Sequence, residues 1–157
     1  LYGERLMEKQ KLCFFYHLSD KQFRRYMAEA SRTRSNTVDK LNELLERRLD
    51  NVIRRASFGR TIWQARQLVS HGHIQVNGRR VDRPSYQVRP GDVISVRPKM
   101  QKNVHIIELM EQGVNPPAYM DMEPEKFSAS FMRVPEQRDI PVPVDIQLVV
   151  EYYNRLT

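Results

Sequence analysis

The chain has 157 residues, 40% of them hydrophobic and 29% charged, a composition that suits one substantial core or two small ones and excludes disorder throughout. It carries 26 Lys and Arg against 19 Asp and Glu, and the resulting net charge of +7 points to a polyanionic partner. Its one cysteine, Cys13, can neither close an internal disulfide nor anchor a thiolate zinc cluster, and is read as a small core residue in a reducing, intracellular setting.

The charge is unevenly spread. Residues 47–102 hold 13 basic and 3 acidic side chains, whereas residues 103–157 hold 4 and 9. No apolar run approaches the roughly 18 residues a membrane span needs, and the amino end has no signal-peptide pattern, so the reading is a soluble protein. The chain opens on Leu1 rather than Met, which suggests a segment preceding it.

The first fifty residues read as helices. Residues 3–16 place Leu6, Cys13 and Phe14 at helical spacing. Ser19 followed by Gln22 is a capping-box pattern that starts a second helix, with Phe23, Met27 and Ala30 along one face. Thr37 can cap a third, in which Val38, Leu41, Leu45, Leu49 and Val52 form an apolar stripe. The stripe is too short for a coiled coil.

In the central block, Thr61 with Gln64 repeats the capping box and Gly72 stands where a helix end wants glycine, which bounds a helix over 62–71. The period then becomes two. Ile74 and Val76 alternate with Gln75, Asn77-Gly78 supplies a tight hairpin turn, and Val81 begins the return. Tyr86 and Val88 alternate likewise, Arg89-Pro90-Gly91-Asp92 is ordered for a type II turn, and Ile94 and Val96 continue beyond. The expected architecture is α+β, a small antiparallel sheet packed by helices. At the far end Asp145 can cap a last helix with Leu148, Val149 and Tyr152 on one face, while Asp121, Glu123, Glu125 and Asp139 read as solvated loop and helix charges.

His71 and His73 invite a metal reading, but no Cys, Asp or Glu lies close in sequence to complete a coordination shell, so no metal and no cofactor is expected. Ser70, His71 and Asp82 lack a nucleophile elbow, the glycines fit no phosphate-loop pattern, and no catalytic residues are assigned. What remains is a display of cations: Arg79, Arg80 and Arg83 after a tight turn, beside a helix bearing Arg66 and preceded by Arg54, Arg55 and Arg60, converging on one face. The guanidinium fork suits phosphate because it donates two parallel hydrogen bonds and keeps its charge. Trp63 and Tyr86 can serve as stacking surfaces or as core. Cations without exposed aromatic anchors in an amphipathic helix make a membrane the weaker partner.

The stretches LLERRLDNV (44–52), QARQLVSHGHIQVNGRRVDRPSYQVRPGDVISVR (64–97), EKQKL (8–12) and KQFRRY (21–26) resemble the bacterial-type S-four family of small-subunit ribosomal proteins, in an ordered similarity from near residue 2 to VVEYYNR (149–155). The central stretch alone would indicate only the S-four RNA-binding module, which the resemblance also places in some pseudouridine synthases, a tyrosyl-tRNA synthetase and heat-shock RNA-binding proteins. The flanking stretches single out the ribosomal family.

The resemblance implies a helical domain from residues 1–46 plus 145–157, with the S-four-type RNA-binding module and its following loops inserted over 47–144. It implies a non-enzymatic constituent of the small subunit that binds ribosomal RNA early, organises a helix junction and lies near the messenger RNA entry channel. Its partners are then small-subunit ribosomal RNA, neighbouring small-subunit proteins and messenger RNA, in a cytoplasmic or organellar ribosome. The alternative is an RNA-binding factor, or the guide module of an RNA-modifying enzyme such as a pseudouridine synthase. Matched positions imply RNA contacts at Lys9, Lys11, Gln22, Arg24 and Arg25 in the helical part. In the module they imply contacts at Arg48, Arg60, Thr61, Arg66, Gln67, His71, Asn77, Arg79, Arg80, Ser85, Tyr86 and Arg89. The sequence departs from the family pattern at Ile62, where many relatives have arginine. Further departures are residues 31–37 and Ser128-Ala129-Ser130, where glycines are usual, and the family's amino-terminal arm is expected to be lacking.

Overall fold

A computed structural model describes residues 2–34, 36–139 and 144–156. It divides into two compact units, one made of residues 1–45 and 136–157, the other of residues 46–135.

The first unit is helical. Helix α1 (Tyr2–Tyr16) buries Leu12 and Tyr16, while Phe14 stands 85% exposed. The expected face is thus corrected at Phe14 alone, since Leu6 is half-buried and Cys13 packs against the core beside Leu12 and Tyr16. Helix α2 (Asp20–Arg32) begins with the reciprocal capping box of Ser19 and Gln22 and buries Phe23, Met27 and Ala30. Helix α3 (Thr37–Glu46) is capped by Asn36 rather than Thr37, because the Asn36 Oδ1 accepts from the Val38 and Asp39 amides at 2.8 and 3.4 Å. Helix α7 (Ile146–Leu156) packs on α1, buries Val149 and Tyr152, leaves Leu148 half-buried, and is capped by Asp145. The Asp145 amide also donates to Glu8 at 2.8 Å, and this bond, together with the Lys11 ammonium, holds the Glu8 carboxyl below its usual range, Lys11 acting most.

In the second unit the apolar stripe of α3 does not continue as one helix. The chain turns extended at Arg48 and resumes as α4 (Leu49–Arg55). Leu41 and Leu45 therefore lie in the first unit's core, and Leu49 and Val52 in the second's. An extended joint keeps the i, i+4 spacing in sequence while ending the helix, so periodicity alone could not reveal it. Residues 84–88 dock on this joint. The Leu49 amide donates to Tyr86 O at 2.9 Å, the Asp50 amide to Pro84 O at 3.1 Å, and the Val88 amide to Arg47 O at 2.9 Å. Tyr86 and Val88 accordingly lie in no strand, contrary to the alternation, because their backbone groups are spent on the joint.

Helix α5 (Ile62–Ser70) is capped by Thr61, but Gln64 Oε1 accepts from the Arg60 amide, so the box is displaced by one residue. Strands β1 (Ile74–Val76) and β2 (Arg79–Arg80) form the expected hairpin, with Asn77 and Gly78 at φ 52° and 80°. Strand β3 (Val93–Val96) follows the turn at 89–92 and pairs with β1. The sheet is wholly antiparallel, in the order β2-β1-β3-β5-β4, where β4 is Met120–Glu123 and β5 is Ser128–Phe131. Asp121 and Glu123 lie on β4, exposed, rather than in a loop. Asn103 caps α6 (Val104–Glu111), a helix that the sequence pattern does not announce. Ile74, Val76, Ile94 and Val96 pack with Val52, Ile53, Ala65 and Val69 in one core beneath the sheet.

Two buried carboxylates stand at the joint. Asp50, with no exposure, receives Arg48 Nε and Nη2 at 3.1 and 3.0 Å and Arg66 Nε and Nη2 at 3.1 and 2.9 Å. Glu46, equally buried, receives Arg55 Nε at 2.6 Å and the Tyr119 hydroxyl. Removing one partner of such a buried pair strands the other charge, a loss of about 3–5 kcal/mol. Asp50→Ala is therefore expected to lose about that much stability in urea unfolding, because Arg48 is only 2% exposed. Arg24→Ala, which removes an exposed pair with Asp20 at 3.6 Å, is expected to change the midpoint very little.

Candidate nucleic-acid interface

Arg79 and Arg80 follow the Asn77-Gly78 turn as the whole of edge strand β2, and both are exposed. Side chains alternate along a strand, so the two arginines leave on opposite faces: Arg79 opposes Val76 and Arg80 opposes Gln75. Convergence of all the guanidinium groups on a single face is thus replaced by a basic edge that offers charge on both faces.

A latch fixes the turns at one end of this edge. Asn77 Nδ2 donates to Asp92 Oδ1 at 2.9 Å, and Asn77 Oδ1 accepts from the Val93 amide at 2.9 Å. Asp92 Oδ2 also takes the Arg89 amide at 2.8 Å. Asn77 is exposed, but its side-chain amide is spent on joining the hairpin turn to the turn at 89–92, which brings exposed Arg89 to the same end of the sheet as Arg79.

At the other end, Arg80 lies over Gly72. That glycine has φ +76°, a conformation that favours glycine, and a Cβ there would sit 2.4 Å from the Arg80 Nε, so a larger residue would also push the flexible guanidinium aside. His71 and His73 approach with ring centroids 6.1 Å apart. The Arg97 amide donates to His73 O at 2.8 Å, which makes Arg97 the cross-strand neighbour of His73. Burial first, then the charges of His71, Arg97, Arg80 and Lys99, push the His73 imidazole below its ordinary value of 6.5. His73, Arg97 and Lys99 were not among the expected contacts. The signal for Arg97 was present, since continuing the β1–β3 register by one residue sets it opposite His73.

The remaining expected residues fall into two sets. Arg60, Thr61, Gln67 and Ser85 are exposed, as is His71. Arg48, buried, cannot reach a ligand from its place against Asp50, and Arg66 is 23% exposed with its fork turned to the same carboxylate. Tyr86 is half-buried against the core, whereas Trp63, outside the core, is 63% exposed. Arg54 and Arg55 also turn inward, to Asn51 and Glu46.

In the helical unit Lys9 is 8% exposed and its ammonium is paired with Asp20, so it is structural. Lys11, Gln22, Arg24 and Arg25 are exposed, although Lys11 pairs with Glu8 at 2.8 Å and Gln22 is occupied in its capping box. Arg24 and Arg25 share an open depression on α2 with Lys21. Arg32 and Arg34, within the departure from the family pattern, are exposed.

Among the described residues no group of three or more His, Cys, Asp or Glu could hold a metal, and no helix is long and apolar enough to cross a membrane.

Residues 1–46 match the family described as the ribosomal protein S4/S9 N-terminal domain, and residues 47–94 match the S4 domain. Over 156 residues the chain is 47% identical to the small ribosomal subunit protein uS4 of Streptococcus agalactiae, covering 99% of this chain and 77% of that protein. The same identity and coverage hold for its counterpart in Streptococcus pyogenes. With the uS4 of Persephonella marina the identity is 45% over 157 residues, covering 98% and 76%.

The depressed His73 carries a stability consequence with a definite sign. As pH falls through 6.5 the unfolded chain protonates this histidine before the folded one does, so the unfolded state binds more protons and stability drops. Thermal melting at pH 7.5 and 5.5 should show a loss on acidification that is smaller in His73→Gln. An equal loss in both proteins would show that His73 is not its source.

Proposed function

Because the chain belongs to the uS4 family of small ribosomal subunit proteins, we propose that it binds ribosomal RNA directly through the basic β2 edge and organises a helix junction there during assembly. It is a structural constituent of the small ribosomal subunit, with ribosomal RNA and neighbouring subunit proteins as partners, and it works in the cytoplasmic ribosome. The observation that carries this is the similarity itself, which runs across both units over 99% of the chain instead of through the central module alone. A guide module borrowed by an enzyme would not require the helical unit to match as well. The reading is accordingly non-enzymatic, with a position near the messenger RNA entry channel.

The residues assigned to RNA are the exposed ones. Arg60, Arg79, Arg80 and Arg89 neutralise phosphate, while Thr61, Gln67, His71 and Ser85 supply neutral hydrogen-bonding groups to the RNA. Lys11, Arg24 and Arg25 do the same from the helical unit, treated as a domain of its own. Arg48, Arg66, Asn77 and Tyr86 act as positioning residues. They hold the joint and the turns from which the others project. Affinity comes mainly from phosphate neutralisation and selectivity from the shape of the folded RNA.

Filter binding to small-subunit ribosomal RNA across a salt series tests this. On the scale known for double-stranded DNA, a protein that neutralises six to ten phosphates weakens by about three to five orders of magnitude between about 50 and 200 mM salt. Arg79→Ala/Arg80→Ala should weaken binding and lower the slope of log K against log salt by about one unit for each phosphate no longer neutralised. An unchanged slope would remove the β2 edge from the interface.

A further inference from the structure

Between α5 and α6 the second unit has a cavity of about 280 Å³, and two of the assigned contacts, Gln67 and His71, stand in its lining. Its floor is apolar, built from Phe58, Leu68, Met100 and Leu109. Its rim carries the amide of Gln67 and the imidazoles of His71, His73 and His105. Among the described residues, no carboxylate lines it. The Arg80 guanidinium lies against Gly72 and Arg97 Nη1 donates to Gly72 O at 3.4 Å, so both cations stand beside the His71 and His73 of this lining.

This combination selects a ligand chemistry. An apolar lining containing a phenyl ring and a thioether suits the faces of an aromatic heterocycle. Amide and imidazole groups supply both donors and acceptors for its edge. The surrounding cations, with no acid in the lining, suit a phosphate attached to that heterocycle. The volume falls just under the roughly 300 Å³ at which pockets for drug-sized ligands begin, a size for one ring system and not for an extended ligand. A peptide or lipid chain would make no use of the two cations beside Gly72.

We propose that this cavity takes one unpaired nucleobase of the ribosomal RNA, with its phosphate facing Arg80 and Arg97. The inference rests on the reading of the chain as an RNA-binding subunit protein and adds base capture to phosphate neutralisation. Single-stranded loops and bulges supply such bases, which can be splayed out of the stack and read on their edges.

The first arm of the test uses methyl-labelled methionine and histidine ring signals of the full chain, titrated with the four nucleoside monophosphates and, as the base-free control, ribose 5-phosphate. The Met100 methyl and the His105 ring should shift with at least one monophosphate and not with ribose 5-phosphate, and Leu109→Trp, which fills the cavity, should abolish those shifts. The second arm measures binding to small-subunit ribosomal RNA. Leu109→Trp and Gln67→Ala should each weaken it by between about fivefold and a hundredfold while leaving the salt slope at its wild-type value, because each removes base stacking or base-edge bonding and spares the phosphates. Gln67 is exposed, so its variant keeps the test informative should the tryptophan prevent folding.

Equal shifts from ribose 5-phosphate would overturn the proposal. So would wild-type ribosomal RNA affinity in both variants; if base-dependent shifts persisted alongside it, the cavity would be a site for a free nucleotide. A wild-type protein that fails to prefer small-subunit ribosomal RNA over transfer RNA would instead overturn the functional reading, an outcome visible before any variant is made.

Discussion

A fully buried carboxylate, Asp50, held between the guanidinium groups of Arg48 and Arg66, decides which cations of the basic block are left for a partner. An ionised group without exposure must be paired and hydrogen-bonded, and Asp50 meets that need from both sides, with the Asn51 amide as a further donor at 2.7 Å. Beside it Glu46 draws in Arg55. Between them these two acids draw in three arginines that a count of charge would assign to the surface. They also fix the joint where α3 ends and α4 begins, and residues 84–88 are bonded to that joint through their backbone. The breaks and turns of the module follow from where these acids are neutralised.

The sheet then separates charge from one side to the other. Its order places β2, consisting of Arg79 and Arg80, at one edge and β4, with exposed Asp121 and Glu123, at the opposite edge. A two-residue charged edge resists adding another strand, and here it also aims positive charge at both faces. The Asn77–Asp92 latch carries Arg89 to the same end of the sheet, and Gly72 lets Arg80 lie close over the chain near His73. A polyanion is attracted to the β2 side and repelled from the β4 side, so the sheet orients it before any individual hydrogen bond forms.

Local devices were legible in the sequence. The Ser19 capping box, the Asn77-Gly78 hairpin, the helix stop at Gly72 and the turn at 89–92 have their chemistry written in adjacent residues, and each stands where the sequence places it. What escaped depended on distant partners. The fate of Arg48 and Arg66 was hidden because nothing local says that Asp50 will be buried. The end of α3 was hidden because an extended joint preserves helical spacing. Strands β4 and β5 are masked by the prolines nearby, which read as loop, although Met120, Asp121, Met122 and Glu123 alternate cleanly. The family resemblance names the module's arginines as one group, and it does not separate the exposed ones from those bonded to buried acids.

That distinction is most directly measured on Arg48. With Arg48→Met, Asp50 keeps its Arg66 partner and the joint keeps its apolar volume, so the variant asks only what the buried guanidinium does. The slope of log K against log salt for small-subunit ribosomal RNA should equal that of the parent while the melting temperature falls. A slope lower by about one unit with melting unchanged would place Arg48 on phosphate, and would contradict the division between arginines that build the module and arginines that meet the RNA.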